Sequence, residues 1–110
     1  MLPVDIKNEI VSGLKSASDV NRIILFGSYA RGNQDADSDV DLVVILSKKG
    51  FFQSYTEMLE NRMQLSKPLL KLRESIPVDL FVYTADEWAM LEKTQSDFVR
   101  NVYKEGVVLA

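Results

Sequence analysis

Two hydrophobic periods alternate along this chain, and the switches between them mark its elements. From Asp5 to Ala17, Ile6, Ile10, Val11 and Leu14 recur at three- and four-residue steps while Lys7, Asn8, Glu9 and Lys15 fill the opposite face. That spacing predicts an amphipathic helix lying on a core. Ser18 and Asp19 turn the chain into Val20 to Phe26, whose unbroken run Ile23, Ile24, Leu25, Phe26 predicts a strand covered on both faces. Gly27 ends it. Beyond a polar loop, Val40 to Leu46 is a second β-branched run, apolar on both faces past Asp41, and so belongs in the middle of a sheet. Ser47, Lys48, Lys49 and Gly50 close it with a polar turn.

From Phe51 onward, Phe52, Tyr55, Met58, Leu59, Met63 and Leu70 recur at helical steps, with Met58, Leu59 and Met63 expected in the core. Pro68 removes a backbone donor inside that region, which predicts a break near Ser66 and Lys67. Pro77 introduces a third strand, Val78 to Tyr83. Thr84 then caps a helix over Ala85 to Lys93, with Asp86 and Glu87 in the first turn, where the helix dipole favours acids, and Trp88 in the core. Ser96 to Lys104 reads as a last helix in which Phe98, Val102 and Tyr103 are either core or a partner surface. Val107 to Leu109 follow as a short edge strand.

Strands alternating with helices predict an α/β (α+β) fold, a mixed sheet of three to four strands covered by helices. The link between the first two strands is too short for a parallel crossover, which is why the sheet is expected to be mixed. No repeat, low-complexity tract or linker divides the chain, so residues 1–110 are expected to form a single domain, with no room for a separate substrate-reading domain. No apolar run reaches bilayer length, and the opening Met-Leu-Pro-Val-Asp-Ile-Lys lacks a leader's basic then apolar pattern, so a cytoplasmic location is expected.

Composition narrows the chemistry. There are no cysteines and no histidines, which removes disulfides, thiolate or imidazole zinc sites, cysteine nucleophiles and serine-histidine triads. Carboxylates remain as metal ligands and bases. Net charge is -3, but Asp35, Asp37, Asp39 and Asp41 alone supply four of the acids, so the acidity is local. No basic face is left for broad nucleic-acid binding, and none is expected.

The candidate chemistry lies at three strand ends. Gly27-Ser28 is a turn that lets backbone and hydroxyl approach a phosphate, although taken alone such a pair more often just ends a strand. Asp39 and Asp41, two apart in extended chain, leave the same face roughly 7 Å apart and would repel by roughly 2 kcal/mol at an intermediate dielectric, a cost that a divalent cation reverses. A solvated acidic turn accounts for Asp35 and Asp37 but poorly for Asp41, which apolar residues surround. A calcium loop counted from Asp35 fails, because Val40 and Leu46 stand where glycine and glutamate are required. Asp79 opens the third apolar strand as Asp41 opens the second. Taken alone, an acid at a strand start is more often a turn residue, but if the two strands are neighbours they gather three carboxylates into an all-oxygen site suited to magnesium. Arg31, Lys48, Lys49 and Arg73 are cations within conceivable reach of a triphosphate, though lysines in a polar turn are usually just solvated.

Gly27-Ser28-Tyr29-Ala30-Arg31-Gly32, then Ser38-Asp39-Val40-Asp41-Leu42, then Asp79 in a later strand resemble the DNA polymerase β-like nucleotidyltransferase superfamily. More narrowly, they resemble its minimal nucleotidyltransferases, often encoded beside a HEPN-domain protein. The likeness covers roughly Ile23 to Val82. It implies that Gly27 and Ser28 cradle the β- and γ-phosphates of ATP, with Arg31 either on phosphate or bracing the loop. It implies that Asp39 and Asp41 bind two magnesium ions, and that Asp79 joins them and takes the acceptor's proton. The implied activity is transfer of AMP to a hydroxyl, in particular a tyrosine of a cognate HEPN ribonuclease toxin, with this chain as antitoxin. Occlusion of the partner without catalysis, and modification of a small molecule such as an aminoglycoside, are the alternatives. Self-association is compatible with either, and no membrane partner is expected.

Overall fold

The computed structural model describes residues 2–110. Helix α1 (Val4–Ala17) leads into β1 (Val20–Phe26), a single turn of helix α2 (Ser28–Arg31), and β2 (Val40–Leu46). Helix α3 (Tyr55–Ser66), a 3-10 turn (Lys67–Leu69) and α4 (Leu70–Arg73) follow, then β3 (Val78–Thr84), α5 (Ala85–Lys93), α6 (Asp97–Glu105) and β4 (Val107–Val108). The sheet order is β3-β2-β1-β4. β1 runs antiparallel to both β2 and β4, and β2 runs parallel to β3, so the sheet is mixed. The short β1–β2 connection allows only the antiparallel pairing, whereas α3 and its continuation supply the long crossover that a parallel β2–β3 pair needs.

Alternation along β2 divides the core. Val40, Leu42, Val44 and Leu46 face α1, α3 and α4, joined there by Ile23, Leu25, Val78, Leu80 and Val82. Val43 and Ile45 face the other way with Ile24, under Trp88 of α5 and Val99 and Val102 of α6. That second face carries Asp41 at its open end. The helical break lies where Pro68 requires it, and α1 crosses the break so closely that a Cβ on Gly13 would sit 3.1 Å from Pro68 and 3.2 Å from Leu69.

Two expectations change. Met63 is 62% exposed and does not enter the core, and Tyr55 and Leu70 are exposed as well. Leu65, Leu69 and Leu72, themselves at four- and three-residue steps, take the buried positions and set the inward face, and Met63 lies off that line. In α6, Val102 is buried and Phe98 packs against that core, while Tyr103 is a bridge whose hydroxyl accepts from Trp88 Nε1 at 2.9 Å and donates to Glu92 at 2.6 Å.

Thr84 ties the far end of the sheet together. Its hydroxyl accepts from the Glu87 amide at 3.1 Å and donates to the Gly50 carbonyl at 2.6 Å, while the Thr84 amide donates to Glu87 Oε1 at 2.9 Å. Thr84 is fully buried. Thr84→Val should therefore cost about 2 kcal/mol, from a lost cap and an unpaired carbonyl, read as a lower denaturant midpoint with an unchanged slope.

Candidate active site

The site lies where β1 ends and β2 and β3 begin. In the sheet register Asp41 stands beside Phe26 on one side and Asp79 on the other. Adjacent strands lie roughly 4.8 Å apart and paired residues share a face, so the two carboxylates leave the same surface side by side. Both are partly buried. Asp39 lies one residue before β2, because the ladder starts with the Val40 amide donating to the Pro77 carbonyl at 2.9 Å, and its side chain is exposed. The strand thus spans Val40–Leu46, as the apolar run predicts, and Asp39 stands just outside it.

Gly27 is the other fixed point. Its φ of 76° and ψ of -157° belong to a region essentially reserved for glycine. A Cβ there would run into the Asp41 carboxylate. The turn continues as α2, whose Ala30 and Arg31 amides donate to the Gly27 carbonyl at 3.1 Å. The position of Asp41 therefore depends on the absence of a side chain at Gly27.

A cavity of about 430 Å³ opens at this point. The strand ends contribute Phe26, Gly27, Ser28, Arg31 and Asp41, and α6 forms the facing wall with Phe98, Asn101, Val102 and Glu105. Sequence reasoning missed that wall, although Phe98, Asn101 and Glu105 recur at three- and four-residue steps and so share a helix face. Arg31 Nη1 donates to Glu105 Oε2 at 3.0 Å, clipping the loop to α6 through an exposed pair worth little by itself.

Other candidates stand elsewhere. Lys48 and Lys49 follow the opposite end of β2, and Lys48 pairs with Glu57 at 3.4 Å. Arg73 is carried by α4, on the other face of the sheet. Asp35 and Asp37 are exposed, and Asp35 organises the loop by accepting from the Asp37 amide at 2.9 Å, while its own amide donates to the Ser38 hydroxyl at 2.9 Å.

Electrostatics single out Asp41. Burial, then the charges of Asp79 and Asp39, push its carboxyl above the ordinary carboxylate value, while Arg31 pulls it down. Among the described residues no three acidic side chains already converge at metal-binding distance. The donors nevertheless suit a hard divalent cation: all are carboxylate oxygens, Asp41 and Asp79 are neighbours in register, and their repulsion is the cost that such an ion offsets.

The raised pKa sets a sign. A carboxyl with a folded-state pKa above its unfolded one costs stability once ionised, and the cost disappears as pH falls through the folded value toward the unfolded one. Asp41→Asn should therefore melt higher than wild type at neutral pH in chelator, with the gap closing toward pH 4. Melting curves across that range check it. An Asn variant that melts lower at neutral pH would show that the ionised Asp41 is not a strained group.

The match to known proteins is decided over nearly the whole chain: residues 8–110 fit the model of the family described as polymerase beta, nucleotidyltransferase. The chain belongs to the polymerase β nucleotidyltransferase family. This is a family of enzymes, and its mixed sheet with covering helices is the fold seen here. A protein of Methanocaldococcus jannaschii named "Putative protein adenylyltransferase MJ0604" is 46% identical over 103 residues, covering 92% of this chain and 91% of that protein. Its namesake MJ1379, from the same organism, is 43% identical over 49 residues, and there the match covers only 49% of the relative's length. Among solved structures, a toxin-antitoxin crystallised with AMP-PNP contains a chain that superimposes with a TM-score of 0.62 at 24% identity, over 94% of this chain and 72% of that one. A structure described as a "putative minimal nucleotidyltransferase" gives a TM-score of 0.53 at 22% identity, over 94% and 88%. Both share the fold. Among the described residues no helix is long and apolar enough to cross a membrane.

Proposed function

We propose that this chain, acting as a single domain, transfers AMP from ATP to a hydroxyl of a partner protein, and that Asp41 and Asp79 are the centre of that chemistry. The observation that carries the reading is the in-register pair of partly buried carboxylates beside a glycine whose missing side chain makes room for one of them. The adenylyltransferase name of the M. jannaschii relative supports AMP as the transferred group, and the AMP-PNP in the toxin-antitoxin structure supports ATP as the nucleotide.

Gly27 and Ser28 face the triphosphate across the cavity, Arg31 steadies the loop on which it lies, and Asp41 and Asp79, with Asp39, would hold divalent magnesium. Bound there, the cation would neutralise the phosphates and make the acceptor hydroxyl more acidic. The hydroxyl oxygen attacks the α-phosphorus in line, an O–P bond forms, and the bond from the α-phosphorus to the bridging oxygen breaks. Pyrophosphate leaves with that electron pair. Asp79 accepts the hydroxyl proton.

The acceptor is proposed to be a tyrosine of a HEPN ribonuclease toxin, silenced by this chain as its antitoxin in the cytoplasm. The toxin-antitoxin neighbour supports this. Coexpression with the product of the adjacent gene, followed by intact mass spectrometry, should show the partner gaining whole adenylate units. Chelation of divalent cations in the purified reaction should reduce transfer to background. An unmodified partner would contradict the proposal, and protection that survives Asp79→Ala would point to occlusion instead.

A further inference from the structure

A cavity of about 580 Å³ lies away from Asp41 along the outer edge of β3. Its floor is Leu80 to Tyr83, with Tyr55 and Met58 of α3 on one side and Met90 and Leu91 of α5 on the other. Tyr55 is 71% and Met90 52% exposed, so the walls present apolar surface to water.

β3 is an end strand of the sheet. The Val40 amide bonds the Pro77 carbonyl, and in a parallel ladder the inward-turned residues then alternate from there. Asp79, Phe81 and Tyr83 therefore direct their peptide groups to β2, and Val78, Leu80 and Val82 direct theirs to the open edge. Among the described residues, no hydrogen bond from outside the β2–β3 ladder meets those groups. An open edge between apolar walls is a template for one more strand.

We propose that this groove docks an extended segment of a partner protein, added as a fifth strand beside β3, with apolar residues at alternate positions and an acidic residue near Arg62. Arg62 lines the groove and makes no ion pair among the described residues, whereas Glu87, the acid in the lining, is held by the Thr84 and Phe52 amides. A second copy fits less well. Its own edge strand carries the same walls, so α3 would meet α3 and α5 would meet α5 before the strands reached pairing distance of roughly 4.8 Å. A segment without flanking helices has no such obstruction. The strand it pairs with also carries Asp79, so docking would bring the partner to the strand that opens the acidic site.

The test uses the full chain without ATP or divalent cation, so it stands apart from the transfer reaction. Selection from a displayed library of random peptides should enrich alternating apolar sequences bearing an acid. The best peptide should slow amide exchange at Val78, Leu80 and Val82 by about tenfold or more. Tyr55→Lys combined with Met90→Lys, both on exposed side chains, should weaken binding by about tenfold or more with an unchanged melting temperature. Failure to enrich any peptide, protection elsewhere, or binding that survives the double variant would overturn the proposal. Concentration-dependent dimerisation abolished by the same variant would overturn it in favour of a second copy.

Discussion

Asp41→Ala is expected to reduce adenylate transfer by about a thousandfold or more, while the protein stays folded. The side chain stands between Gly27 and Asp79, at the point where phosphate, cation and acceptor would meet, and no other described carboxylate occupies its place in the register. Removing it relieves the repulsion with Asp79 and Asp39, so melting temperature should hold or rise as activity disappears. Steady-state transfer to the partner, with melting curves on the same preparation, checks both halves. A variant that keeps a tenth of wild-type activity would move the chemistry elsewhere.

Gly27→Ala should damage stability and activity together. The residue would carry a Cβ at φ 76°, ψ -157°, at a cost of about 1 to 3 kcal/mol, and that carbon would displace the Asp41 carboxylate. Gly50→Ala separates the two effects. Gly50 also has φ 76° but open space around its would-be Cβ, and it lies past the far end of β2. It should lose about 1 kcal/mol and keep its activity. Denaturation and transfer assays on the pair distinguish a displaced carboxylate from a strained turn. Equal activity in the two variants would contradict the role assigned to the Gly27 turn.

Much of this arrangement is legible in the sequence because it is local. Apolar runs broken by Gly27 and Gly50, the cap at Thr84 and the break at Pro68 all act within a few residues, and each stands where the pattern places it. Asp41 and Asp79 are legible too, since a carboxylate at the mouth of an apolar strand is costly without a role. Their neighbourhood depends on β2 pairing with β3 in parallel, which the long helical connection between them favours. The wall from α6 is not local. Phe98, Asn101 and Glu105 face Gly27 only because β4 pairs with β1 and brings α6 over the Asp41 face. Helical periodicity shows that those residues share a side, but it does not say what lies opposite. Met63 is the converse case: its spacing suits a core stripe, yet a competing line through Leu65, Leu69 and Leu72 is the one buried.

On the proposed chemistry, ATP gives up its adenylate, not its terminal phosphate, at the Asp41–Asp79 pair. The most direct measurement is label transfer from ATP carrying radioactive phosphorus at either the α or the γ position, with magnesium, purified chain and the adjacent gene's product. Wild type should label the partner from the α position only, and Asp41→Asn should label it from neither. Label arriving from the γ position, or from the α position equally with Asp41→Asn, would contradict the account.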